Sequence, residues 1–308
     1  MQTSDQLECT KEITEKKHRA ILAALTGNII WGFSFLFTKM ALQVMPMPSV
    51  ILSTRFIVAF IILTVLILTK KASFSIKGKK LGPIIILSII EPLCFLFEGY
   101  GVLYTNATFA GVVMAASPIV SIIFAAVFLK EIPRIVQLLF CLLPIAGVII
   151  ITIAGKELGI VAPIGVILLI CNCFAISVYR IVNKKSGQEF SAFERTYAVV
   201  VVGLVAFTTM ALVQLKGNIR GYIEPLKEPK YLFALTMLSI FCSILAYLLA
   251  NYGAARLSVA KMATIGTIQT ICATFAGVVI LKEPISWAIL LGAVLIIFGV
   301  WQVTRLGE

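Results

Sequence analysis

Glu91 and Glu98 are two carboxyl groups set seven residues apart in an otherwise apolar stretch. In a helix, seven steps of about 100° return to nearly one face, about 10 Å further along the axis. An ionisable group inside a membrane helix costs about 2.5–3.5 kcal/mol on insertion scales, so it needs a purpose. Exchange of a proton or cation is one purpose, and holding a cationic substrate is another. The structural alternative is an ion pair, for which Arg55 lies at the right depth to meet Glu98. Pro92 follows Glu91, removes a backbone donor and can bend the helix there. Trp31, Asn172 and Gln269 stand near the middle of three other apolar blocks and complete the set of candidate substrate-binding or coupling residues. Lys39, near the end of its block, reads as a snorkelling side chain.

Other chemistries have little to work with. His18 is the only histidine and Asp5 the only aspartate, so the apolar blocks hold no obvious acid–base dyad or metal cluster. The seven cysteines contain no Cys-x-x-Cys pair, which argues against a metal site or a disulfide framework. A phosphate-binding Gly-x-x-x-x-Gly-Lys loop is missing as well, so ATP drive within this chain is excluded. No cofactor and no metal is expected.

The elements that position these residues follow from composition. Of 308 residues, 60% are hydrophobic and only 13% charged, too little charge for the surface of a soluble domain. The formal charge of +12 does not point to nucleic acid, because the basic residues lie in the gaps between apolar blocks. With about 20 apolar residues per crossing, the chain divides into ten spans. The first five are Ala20–Val44, Val50–Thr69, Leu81–Leu103, Ala107–Leu129 and Ile135–Ala154. The second five are Ile160–Val182, Arg195–Leu215, Tyr231–Asn251, Ser258–Leu281 and Ile285–Thr304. Residues 1–19 form a basic tail, and the first block is too long for a cleavable signal core, so it reads as a signal anchor.

Basic residues set the orientation. With both termini cytoplasmic, 18 of the 26 lysines and arginines fall inside (Arg180, Lys184 and Arg195 among them) and 6 outside, with Lys39 and Arg55 within spans. The two halves are also related in sequence. Leu129-Lys130-Glu131 and Leu281-Lys282-Glu283 lie 152 positions apart, as do Tyr100-Gly101 and Tyr252-Gly253, and Gly147-Val148 and Gly299-Val300. Two repeats, 20–154 and 160–304, with five helices each must enter the membrane from opposite sides. The fold class is therefore an all-α integral membrane protein, ten transmembrane helices as two inverted five-helix repeats. The Leu-Lys-Glu turns read as structural, each glutamate complementing the dipole of the helix that follows.

Trp31-Gly32-Phe33-Ser34-Phe35 followed by Lys39 resembles the first-helix signature of the drug/metabolite transporter superfamily, in its ten-helix EamA-type members. Phe174-Ala175-Ile176-Ser177 is a weaker echo in the sixth helix, and Ser117-Pro118-Ile119 fits the fourth. The resemblance runs from about Ala20 to Thr304. It departs at Thr270, the repeat partner of Pro118, where the family often has proline; a proline-bent ninth helix is not to be carried over.

Polar stripes accompany these motifs: Asn28, Trp31, Phe35 and Thr38 in the first helix, and Ala263, Thr267, Thr270 and Thr274 in the ninth. Such faces turn towards protein or a water-filled cavity. The resemblance implies a secondary transporter of small organic solutes, exporting amino acids or related metabolites across the cytoplasmic membrane by alternating access. Its partners would be the lipid bilayer, the solute and a coupled proton or cation, with the protein a monomer or a homodimer. An intramembrane enzyme, a channel and a non-transporting scaffold are the competing classes.

Overall fold

The computed structural model describes residues 2–129, 135–157, 161–257, 259–284 and 286–305. The first Leu-Lys-Glu turn, with Lys130 and Glu131, lies outside the described residues.

The chain is all helix among those residues. The first three helices are α1 (Gln2–Val44), α2 (Pro48–Leu68) and α3 (Gly82–Leu103), followed by α4 (Ala107–Met114), α5 (Ser117–Leu129) and α6 (Ile135–Glu157). Next come α7 (Pro163–Ser186), α8 (Ala192–Gln214) and the single turn α9 (Arg220–Ile223). A π-helical stretch, Met237–Leu245, joins α10 (Pro229–Thr236) to α11 (Ala246–Ala254). Then follow α12 (Val259–Gly266), α13 (Ile268–Phe275) with a second π stretch at Ala276–Ile280, and α14 (Trp287–Arg305). Helices are the economical choice here, since a backbone in lipid must satisfy its own polar groups.

Six helical segments are long and apolar enough to cross a membrane: Glu15–Val44, Pro48–Leu68, Gly82–Leu103, Pro163–Ser186, Ala192–Gln214 and Pro229–Ala254. Four shorter apolar helices cover Ala107–Ser121, Leu142–Ala154, Ile268–Ile280 and Trp287–Gly299. Large apolar side chains such as Leu68, Val205 and Val294 stay exposed on the outside of the bundle, as a lipid-facing surface requires. The chain is a multi-pass membrane protein.

Pro92 lies inside α3, which runs through it to Leu103 as the predicted span does. Other local features differ from the sequence expectation. The basic tail continues the first helix, because α1 starts at Gln2. The ninth predicted span is interrupted at Thr267, without any proline there. The fourth is interrupted at Ala115-Ala116, and the positions 115 and 267 are again 152 apart. Each break is a tight turn, with Ala115 N donating to Val112 O and Thr270 N to Thr267 O.

Packing runs mainly between the two halves of the chain. Helix α3 lies against α7, α1 against α11 and α13, α2 against α8, and α6 against α14. Glycine allows the closest of these approaches: a Cβ on Gly147 would sit 2.6 Å from the Gly292 carbonyl oxygen, so α6 and α14 touch backbone to backbone.

Candidate functional site

The α1–α13 crossing is just as close. A Cβ on Gly32 would fall 2.5 Å from Cys272 Cβ and 2.9 Å from the Gln269 carbonyl oxygen. This gives the Trp31-Gly32 pair a physical meaning: the glycine admits α13, and the tryptophan beside it faces the interior. The Trp31 indole N–H donates to the Cys242 carbonyl at 3.0 Å, and its ring meets Tyr247 edge-on with centroids 4.9 Å apart. Cys242 belongs to the π stretch, whose irregular hydrogen bonding leaves such a carbonyl free to accept from a side chain.

Trp31, Arg55, Glu91, Glu98 and Gln269 all line one chamber of about 420 Å³, together with Phe95 and Tyr247. Glu91 and Glu98 therefore share a face of α3, as their spacing predicted. Ser34 donates to Glu98 Oε1 at 3.5 Å and to the Trp31 carbonyl at 2.6 Å. Glu91 is almost wholly buried, and its Oε2 has no hydrogen-bond partner among the described residues.

Arg55 is buried too, and the ion pair with Glu98, the structural alternative, is not formed. The guanidinium instead donates through Nε to Ser243 Oγ, lies 4.4 Å over the Phe95 ring, and keeps Nη2 without a partner among the described residues. Burial explains the substitution of partners: the π stretch presents a hydroxyl and α3 an aromatic face within reach, so the cation is held without a carboxylate. Asn172 does not join this group. It is fully buried beside Met114, donating Nδ2 to Sδ at 3.4 Å, with Oδ1 unpartnered among the described residues. Lys39 is pinned rather than snorkelling, donating to the carbonyls of Thr105 at 2.8 Å and Val102 at 3.4 Å at the end of α3.

Two further cavities adjoin the chamber. One of about 300 Å³ shares Arg55, Phe95 and Glu98 with it and is otherwise lined by residues such as Thr38, Ile51 and Leu238. The other, of about 490 Å³, shares Trp31, Ile176 and Gln269 and is lined on its far side by Arg180, Asn183 and Lys184. Gln269 Nε2 donates to Asn28 Oδ1 at 2.5 Å across this second boundary, linking α13 to α1.

Two arginines counted by sequence among the cytoplasmic residues are engaged within the protein. Arg180 is half-buried and donates to Ser121 Oγ and Ser117 Oγ on α5. Arg195 has no exposed surface and donates to the Asn183 and Asn251 carbonyls, at 3.1 and 2.7 Å. Tyr247 and Ser243 were not anticipated, since nothing in a run of apolar residues marks which carbonyl or hydroxyl a π turn will aim inward.

The Leu281-Lys282-Glu283 turn is structural in an unexpected way. Lys282 takes a left-handed backbone (φ 56°), and Glu283 accepts from Ala107 N at 2.9 Å and Thr108 N at 2.8 Å. It thus caps α4 in the first half rather than the helix that follows it.

Known proteins resemble this chain along nearly its whole length. A Bacillus subtilis (strain 168) protein named Uncharacterized transporter YcxC is 35% identical over 285 residues, covering 91% of each chain. An Archaeoglobus fulgidus protein named Uncharacterized transporter is 25% identical over 294 residues, covering 92% of this chain and 98% of its own. A crystal structure superposes with a TM-score of 0.63 at 18% identity, covering 91% of this chain and 94% of the other, a likeness of fold. The model of the EamA-like transporter family matches residues 18–153 and 163–305. With both matches together spanning nearly all of it, the chain belongs to the EamA-like transporter family, within the drug/metabolite transporter superfamily that its Trp31-Gly32 signature resembled.

Proposed function

We propose that this protein is a secondary transporter moving small organic solutes, amino acids or their relatives, outward across the cytoplasmic membrane by alternating access. The observation that carries the reading is the series of three adjoining cavities. The middle one shares Trp31, Ile176 and Gln269 with one neighbour and Arg55, Phe95 and Glu98 with the other. A path closed at two sets of shared side chains is what a carrier needs, since opening one set at a time admits solute without a leak.

In this reading the six long segments and the four shorter apolar helices make ten crossings, with five in each of two inverted repeats. Two observations support it. The breaks in α4–α5 and α12–α13 fall at the 152-residue offset, and interrupted helices near mid-membrane are a recurrent way of building a solute site. Packing is also reciprocal: α3 with α7 in one sense, α1 with α11 in the other. Both termini are cytoplasmic, in keeping with the basic bias and with Lys79 and Glu194, paired at 2.6 Å, on the side where α1 begins. The chamber carboxyls Glu91 and Glu98 supply a site for proton or cation coupling, and the protein works as a monomer or a homodimer.

The test is counterflow in proteoliposomes. Vesicles loaded with a mixture of unlabelled amino acids should accumulate labelled ones transiently and saturably. A linear, unsaturable flux would favour a channel, and no flux of any solute in a broad metabolite panel would remove the transport reading.

A further inference from the structure

The 490 Å³ cavity has a charge character unlike the central chamber. Its charged lining residues are Arg180 and Lys184, both on α7 one turn apart, with no carboxylate among them. The chamber across Trp31 and Gln269 carries Glu91 and Glu98 against the single cation Arg55. Lys184 is engaged, donating to the Leu257 carbonyl at 2.7 Å. Arg180 is half-buried against α5 and has donors to spare.

Its guanidinium reaches from α7 to α5, with Nη1 donating to Ser121 Oγ at 3.0 Å and Nη2 to Ser117 Oγ at 3.1 Å. Both partners are neutral, and among the described residues no carboxylate stands within ion-pair distance of it. Two of five N–H donors are used in these bonds, so three are left for another acceptor. The same side chain borders a third small space, about 280 Å³, where both helix breaks meet: Ser117 follows one and Gly266 precedes the other. Ser117 opens α5, so Arg180 sits at the positive end of a helix dipole. A half-buried cation and a helix N-terminus side by side are mutually unfavourable until an anion lies between them.

We propose that Arg180 is the anchor of an anion subsite, taking the carboxylate of an organic solute in the cavity beneath Trp31 and Gln269. Guanidinium matches carboxylate with two parallel hydrogen bonds, which a lysine at the same place would not supply. The subsite rests on the transport reading only for its place on the solute's route, as the station reached before the Trp31–Gln269 boundary.

The probe is benzoate, with benzamide as its uncharged counterpart, added to the purified full-length protein in detergent at constant ionic strength. Benzoate should raise the thermal unfolding midpoint saturably while benzamide does not, because a ligand of the folded state stabilises it by mass action. Arg180→Gln should weaken benzoate binding more than tenfold, Arg180→Lys should weaken it less, and Lys77→Gln, at an exposed lysine outside the cavity lining, should leave it unchanged. Equal stabilisation of wild type and Arg180→Gln, or no effect of benzoate on wild type, would overturn the subsite. If Arg180→Gln does not fold, phenylglyoxal modification of wild type mapped to Arg180 gives the same reading: protection by benzoate is expected, and unprotected modification overturns it. Benzoate binding without counterflow would count against transport alone, and counterflow without benzoate binding would count against the subsite alone.

Discussion

Arg55 and Glu98 border the same two cavities, yet no ion pair joins them: Arg55 is held by Ser243 and the Phe95 face, and Glu98 by Ser34. A cation and a carboxyl kept apart in one chamber leave both available to a third body. A pair locked together would not.

Replacing Arg55 should therefore cost function more than fold. Arg55→Met keeps an unbranched side chain over Phe95 and removes a charge that makes no direct ion pair with either chamber carboxyl. We expect counterflow to fall on the order of tenfold or more, which corresponds to about 1.4 kcal/mol of lost interaction. The thermal midpoint should move by only a few degrees. Parallel flux and melting measurements decide it, and a variant that transports normally would remove Arg55 from the solute path.

Glu98→Gln preserves shape and the acceptor for Ser34 while fixing the group neutral. If Glu98 exchanges a proton during the cycle, the variant's flux should lose its dependence on an imposed pH gradient. Flux of wild type and variant measured across the same series of gradients provides the check, and an unchanged profile ends the coupling role.

Gly32→Ala should destabilise, because its Cβ would need the space of Cys272 Cβ and the Gln269 backbone. Overpacking of this kind costs about 1–3 kcal/mol, and it would also push Gln269 out of register with Asn28. Gly82→Ala is the control, since a Cβ there meets nothing within 4 Å and should be neutral or mildly stabilising. Thermal unfolding of the two variants separates them.

Glu283→Ala uncaps α4 from a distance of 176 residues in sequence, removing acceptors from Ala107 N and Thr108 N. Loss of an N-terminal cap costs about 0.5–2 kcal/mol. Asn106 still accepts from Phe109 N, so α4 should fray rather than unfold. Hydrogen exchange confined to the first turn of α4 is the expected signature.

Orientation is open to labelling. Lys77 and Arg220 are both exposed, and the basic bias sets them on opposite faces. A membrane-impermeant maleimide should reach Arg220→Cys in intact cells and Lys77→Cys only after lysis. The reverse pattern would invert the topology.

Much of the architecture was readable in one dimension. Apolar blocks become helices because lipid offers the backbone no other partner, and this placed most of the segments within a few residues. The 152-residue offset, visible in Leu-Lys-Glu and Tyr-Gly pairs, returned as the spacing of the two helix breaks. Glu91 and Glu98 could be set on one face because helical periodicity is a local rule.

What lies between helices was not readable in the same way. Thr267 marks a break with no proline, since the interruption there is stabilised by what packs around it rather than by a residue that forbids helix. Asn172 has the composition and depth of a site residue, but it faces Met114 and not the chamber. Arg180 looked like an inside-positive marker, but its side chain reaches across to Ser117 and Ser121 on α5. In each case the sequence determines a helix and the side chains it offers, while rotation and close approach decide which of them meet. Those depend on backbone contacts such as Gly32 on Gln269 and on the π stretch that aims Cys242 and Ser243 inward, and both exist only once the helices are packed.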